Sequence, residues 1–270
     1  MKIKRILSLA LALIMVMCAI SAMSSCAKQD DSGKLIVGYT IYKPMNYEDE
    51  TGKLVGFDTE LAEAVAKKLG MEIEFRKIDW ANKYLELESG TINCIWNGFT
   101  SNCADDDGVQ RSEKVDFSYA YMNNEQCVVV QKKNLEALNS SAALADKKGA
   151  AEKGSAGEGL AKDYITDDEK NYIGKDSQAA AVLELTAGTV DFIVIDKTMA
   201  KAMVADSDYS NLAIVESIEI ESEVYSIGFK KGSELTAKVN GALKELAADG
   251  TMAALAEKYG LSNYLITDLK

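Results

Sequence analysis

The residue type most often used for acid–base chemistry is missing from this sequence, and no other general acid or base stands out in it. None of its 270 residues is a histidine, which removes the commonest general base and the commonest metal ligand. No Gly-x-Ser-x-Gly elbow, phosphate loop or metal-ligand spacing occurs either. Cys94, Cys103 and Cys127 form no Cys-x-x-Cys pair and read as buried thiols, with a Cys94–Cys103 disulfide as an open alternative. The acidic run Asp105-Asp106-Asp107 lacks the spaced ligands and closing Glu of a calcium loop, so it reads as a solvated loop. No catalytic residue, metal set or cofactor can be singled out. What remains is the chemistry of non-covalent capture, polar and charged side chains where apolar strands stop. One such strand runs into Trp96-Asn97-Gly98-Phe99-Thr100, and another, Phe192-Ile193-Val194-Ile195, runs into Asp196.

The elements that must position these residues repeat. Leu87-Glu88-Ser89-Gly90-Thr91-Ile92-Asn93-Cys94-Ile95 and Leu185-Thr186-Ala187-Gly188-Thr189-Val190-Asp191-Phe192-Ile193 share one pattern: helix end, Gly, Thr, β-branched residue, Asn or Asp, apolar strand. Each copy sits among alternating helices and short apolar strands, such as Leu35–Tyr39 and Glu72–Arg76, which predicts α/β lobes with mainly parallel sheets. Such sheets bind ligands beyond the carboxyl ends of their strands, where both sets of polar residues lie. Residues 56–69 predict an amphipathic helix: Phe57, Leu61, Val65 and Leu69 recur at steps of four, Asp58 and Glu60 open it, and Lys67, Lys68 and Gly70 close it.

Lys2, Lys4 and Arg5 precede an apolar run from Ile6 to Ile20, too short for an ordinary membrane span, which reads as a secretory leader over residues 1–25. Met23-Ser24-Ser25-Cys26 looks like a lipobox with Cys26 as the lipidated residue; an ordinary cleaved signal is the alternative, and Cys18 a weaker candidate. Residues 26–33 are polar and aperiodic, as suits a tether. Removal of the leader takes the formal charge from −12 to −15. A surface that acidic argues against nucleic acid or bare anionic lipid as partner.

Gly56 through Leu69 resembles the signature of family 3 bacterial extracellular solute-binding proteins, the polar amino-acid receptors of ABC importers, and further motifs extend the likeness from Leu35 to Gly260. The resemblance implies a two-lobed, type II periplasmic-binding-protein-like α/β fold, with two parallel-rich sheets joined by a two-strand hinge. Gln126–Gln131 and Val224–Phe229 then look like the crossings. Lobe 1 would be discontinuous, 34–125 and 225–270, with lobe 2 at 126–224. Arg111-Ser112-Glu113-Lys114-Val115-Asp116-Phe117-Ser118 is similar to the family's Arg-x-x-x-Val-Asp-Phe-Ser, so Arg111 is implied as the clamp for a ligand carboxylate. About six extra residues between Thr100 and Arg111 depart from the pattern and affect its aim. By the same resemblance Gly98 and Thr100 contact the ligand, Ser155 and Ala156 of Gly154-Ser155-Ala156-Gly157 present helix-opening amides, Asp196 takes the ammonium, and Tyr42 packs on the ligand. Alone, the Gly-Ser-Ala-Gly run is an ordinary turn and Asp196 equally a helix cap. Trp96 is a further candidate wall, with a core position as the alternative.

The expected function is an extracytoplasmic, lipid-anchored, monomeric receptor that captures a free amino acid and delivers it to an ABC permease and its ATPase, without catalysis. A cyclohexadienyl dehydratase-like enzyme on the same fold and a sensory or adhesive surface lipoprotein are the alternatives. No acidic residue stands near Tyr39 and Thr40 in the sequence, which weighs mildly against arginine or lysine as ligand.

Overall fold

The computed structural model describes residues 33–270. The leader, Cys18, Cys26 and nearly all of the tether lie outside them. Thirteen strands form among the described residues: β1 (Lys34–Tyr39), β2 (Tyr47–Glu48), β3 (Leu54–Val55), β4 (Glu72–Lys77), β5 (Cys94–Ile95), β6 (Asp116–Phe117), β7 (Met122–Gln131), β8 (Gly149–Glu152), β9 (Tyr172–Lys175), β10 (Phe192–Asp196), β11 (Leu212–Ile214), β12 (Ser222–Tyr225) and β13 (Gly228–Phe229). They build two main sheets, ordered β4-β1-β5-β13-β6 and β11-β7-β10-β8-β9, plus a small β2-β3 ladder. The cores β4-β1-β5 and β9-β8-β10 are parallel, while β13, β6, β7 and β11 add antiparallel edges. Helices cover both faces, so the inner strands carry unbroken apolar runs: all five residues of β10 are buried.

The repeated helix–glycine–strand pattern takes the same form twice. Gly90 and Gly188 both adopt a left-handed conformation, φ 76° in each, and so end their helices at little steric cost. Asn93 accepts a bond from the Ile36 amide (2.8 Å) and Asp191 one from the Lys148 amide (3.0 Å). Each thereby ties its strand to the chain of a parallel neighbour, β5 to β1 and β10 to β8.

The two sheets are linked through β7, which is longer than the sequence indicates. Its first four residues pair with β12, Met122 with Tyr225 through Glu125 with Ser222, and its later residues pair with β10 and β11. The expected single strand at 224–229 is broken after Tyr225, and the chain re-enters the first sheet as β13 between β5 and β6.

The helix Phe57–Leu69 follows its sequence pattern, burying Phe57, Leu61 and Val65 and ending at Gly70 with φ 66°. Asp58 is not a solvated dipole charge, however. It lies one turn from Leu61 and two from Val65, on the apolar stripe, and is fully buried. Cys94, Cys103 and Cys127 are all free thiols.

Candidate cleft between the strand ends

The carboxyl ends of strands from both sheets converge on one small cavity. From the first sheet come Trp80 beyond β4, and Asn97, Gly98 and Thr100 beyond β5. From the second come Glu152 at the end of β8, Ser155 and Ala156 just past it, Gln178 beyond β9, and Asp196 at the end of β10. Arg111 and Gln126 complete the wall. The cavity is about 10 Å³, room for about one water and too little for any amino acid.

Local chemistry explains why each strand end is shaped as it is. Asn97 binds the chain beyond β1 through both ends of its amide: Oδ1 accepts from the Thr40 amide and hydroxyl (3.0 and 2.8 Å), and Nδ2 donates to the Thr40 carbonyl (3.0 Å). Gly98 has φ 58°, and a Cβ there would lie 2.5 Å from a ring carbon of Tyr42, so only glycine fits. Its amide donates to Asp58 Oδ2 (2.7 Å). Burial pushes the Asp58 carboxyl up to about 7, against the Gly98 amide and the nearby Tyr121 and Trp96 groups, which pull it down.

Arg111 opens the short helix Arg111–Lys114 and is 1% exposed. Its guanidinium lies over the Phe99 ring, 5.1 Å from the centroid. Nε donates to Asp105 Oδ1 (2.7 Å), one terminal nitrogen to the Thr100 carbonyl (3.1 Å) and the other to the Gly154 carbonyl (3.2 Å). A guanidinium has five N–H donors, so one remains on each terminal nitrogen. The extra residues before Arg111 thus include the acid that holds its Nε. Asp105 is no part of a solvated loop: it also accepts from Lys114 (2.8 Å) and the Tyr84 hydroxyl (2.6 Å). Burial raises its carboxyl, but Arg111, then Lys114 and Tyr84, overcome that and hold it near about 2. Asp106 reaches across to Lys162 (2.6 Å) on the helix Ala156–Tyr164.

On the opposite wall, Ser155 caps the helix Ala156–Tyr164 by accepting from the Glu158 amide (3.2 Å). Asp196 makes no capping bond to the helix after it. Its Oδ1 accepts from Asn124 (2.6 Å), Gln126 (2.7 Å) and the Tyr225 hydroxyl (2.7 Å), and its Oδ2 from Gln178. Burial raises its carboxyl despite these donors. Oδ2, with the single donor, is the oxygen that retains acceptor capacity.

Of the residues the sequence nominated, Gly98, Thr100, Arg111, Ser155, Ala156 and Asp196 line the cavity together, while Tyr42 and Trp96 do not. Tyr42 lies beneath Gly98 with its hydroxyl bonded to Thr198 and, at 2.7 Å, to Tyr225. Trp96 follows Cys94 by two, so the strand alternation turns both into the same core, where its indole tilts against Tyr121 at 6.4 Å. Sequence reasoning missed Trp80, Gln126, Glu152 and Gln178 on the wall, and Lys83 behind it. Lys83 is buried and donates to the Gly154 carbonyl (2.9 Å), beside Arg111. Burial and then Arg111 lower its ammonium to about 8. Glu152 corrects the reading that no acid stands near Thr40: folding brings one there from the other sheet.

Residues 35–262 match the family model of bacterial extracellular solute-binding proteins, family 3. The arginine-binding extracellular protein ArtP of Bacillus subtilis (strain 168) is 29% identical over 255 residues, spanning 92% of this chain and 96% of that protein. The L-cystine-binding protein TcyA of the same strain is also 29% identical, over 274 aligned positions with the same coverage of 92% and 96%. Among solved structures, an ancestral arginine-binding protein bound to arginine is 36% identical, with a TM-score of 0.75, covering 84% of this chain and 98% of its own. These relatives are binding proteins with the same two-lobed α/β architecture, and the chain described here belongs to the bacterial extracellular solute-binding proteins, family 3.

Proposed function

We propose that the protein is an extracytoplasmic receptor that captures a free amino acid between its two lobes and delivers it to an ABC importer, with no catalytic step. The observation that carries this is that Arg111, from the short helix before β6 of the first sheet, and Asp196, at the end of β10 of the second, line one cavity. A free amino acid carries one charge of each sign, and burying either unpaired would be costly. In this reading the terminal nitrogens of Arg111 take the carboxylate, supported by Thr100 and the amides around Ser155 and Ala156, and Asp196 Oδ2 takes the ammonium. The lobes are assigned to 34–125 with 225–270 and to 126–224, with β7 and β12 as the crossings. The cavity is too small for any amino acid as it stands, so capture requires the lobes to part and close again. Parting withdraws the Gly154 carbonyl from Arg111 and releases a further donor.

The same reading makes the protein a monomer held at the outer membrane face by lipid on Cys26, its partners being the permease and ATPase of the importer. Calorimetry on Arg111→Ala tests the central pair. Truncating one partner of a buried charge pair costs roughly 2–5 kcal/mol, so the variant should fold and bind its amino acid correspondingly more weakly. Unchanged affinity would remove Arg111 from the site. Turnover of prephenate or arogenate by the wild type would replace the receptor with an enzyme.

A further inference from the structure

Glu152 ends β8, lines the cavity and is 3% exposed, yet its Oε1 has no hydrogen-bond partner among the described residues. The polar groups near it make their hydrogen bonds to other acceptors. The Thr40 hydroxyl donates to Asn97 Oδ1 (2.8 Å), and Lys83 directs its ammonium to the Gly154 and Trp80 carbonyls (2.9 and 3.4 Å). Leaving a polar group buried and unpaired is destabilising, and the exceptions in native proteins call for a reason. Nothing in the packing of β8 supplies one, since the Glu152 backbone alone serves the register with Lys175 of β9.

The charges of the cavity wall point the same way. Among the residues lining the cavity, a zwitterion answers Arg111 and Asp196 and leaves Glu152, whose cationic neighbour Lys83 lies off the wall with its bonds made to carbonyls. Resting on the receptor reading above, we propose that Glu152 is a second anionic subsite, which receives a cationic group on the ligand's side chain and selects a cationic amino acid over its neutral isosteres. The side chain would run past Trp80, which lines the same wall, toward Glu152. Relatives of equal similarity are named for arginine and for cystine, so this selection is carried by Glu152 and not by kinship.

The assignment has a proton signature. Burial and then Asp196 raise the Glu152 carboxyl to about 8, with Asp79 adding to them, against the pull of Lys83 and Thr40. At pH 7 the acid is mostly protonated without a ligand, and a cation bound beside it ionises it. Binding should then release about one proton per ligand, and affinity should rise with pH between 6 and 8.

Calorimetry on the refolded full chain, in buffers of different ionisation heat, with arginine, lysine, ornithine, citrulline and glutamine as probes, tests this. At least one of the three cations should bind about tenfold or more tighter than citrulline, the neutral isostere of arginine, with proton release. In Glu152→Gln the ratio of cation to citrulline affinity should fall to about one, and the released proton should vanish. If citrulline or glutamine binds the wild type as tightly as every cation, or if Glu152→Gln keeps the preference, the Glu152 subsite is wrong and the receptor stands. If no amino acid binds the wild type, receptor and subsite fall together. The wild-type comparison needs no variant to fold.

Discussion

Replacing Asp105 by Asn separates the charge of this residue from its shape. The carboxylate serves Arg111 Nε at 2.7 Å, Lys114 at 2.8 Å and Tyr84 at 2.6 Å, all from the segment that departs from the family pattern. Its carboxyl is brought down from 3.8 to about 2, and at about 1.4 kcal/mol per unit that is an upper bound of about 2.5 kcal/mol. Solvent reaches part of the group and screens it, and Asn still accepts hydrogen bonds, so about 1 kcal/mol is the working figure. For a chain of this length that is about 2–4 °C in melting midpoint. The sign follows from linkage. A carboxyl with a lowered folded value contributes stability that is present above about pH 4 and lost as pH falls through about 2. Thermal melts of wild type and Asp105→Asn should therefore differ at pH 7 and converge toward pH 2. Equal midpoints at pH 7, or a gap of the same size at both pH values, would refute the claim that the Asp105 charge holds the clamp in place.

Asp58 gives the opposite slope. Its carboxyl is raised from 3.8 to about 7, so its contribution is complete below about pH 4 and lost as pH rises through about 7, by up to about 1.4 kcal/mol per unit. Melting midpoints should fall less steeply between pH 5 and 8 in Asp58→Asn than in the wild type, and parallel curves would show that Asp58 is not protonated on folding. For the anchor, intact mass of the protein from its host should carry a diacylglyceryl group at Cys26, and an unmodified Cys26 would rule the anchor out.

The legible part of the site is the part set by short, contiguous segments. Arg111 through Ser118 and the strand ending at Asp196 occupy their places because local sequence fixes both the element and the point where it stops. The rest is set by contacts between distant segments. Lys83 sits on the short helix Lys83–Glu88, and its ammonium is held by the Gly154 carbonyl, 71 residues away. Glu152 follows Gly149-Ala150-Ala151, a run of small residues with no strong strand signal, so the strand that aims it into the cavity is not visible locally. Trp80 opens the single turn Trp80–Asn82, too short to carry a periodicity that would assign its face. Trp96 and Tyr42 illustrate the reverse. Both stand at strand ends, where pocket walls are expected, but the pleat turns Trp96 into the core and the bonds to Thr198 and Tyr225 hold Tyr42 beneath Gly98.

Ligand-induced stabilisation tests the receptor reading most directly, because a molecule that binds only the folded, closed protein stabilises it by RT ln(1 + [L]/Kd). For a micromolar site at millimolar ligand that is about 4 kcal/mol, or roughly 8–16 °C in melting midpoint for a protein of this size. The protein is unfolded, dialysed and refolded to strip any carried ligand, then melted against the common amino acids together with cystine, ornithine and small peptides. A rise of that size with one amino acid or a narrow set of them, and little change with most others, is the predicted result. No shift with any amino acid would contradict the central claim.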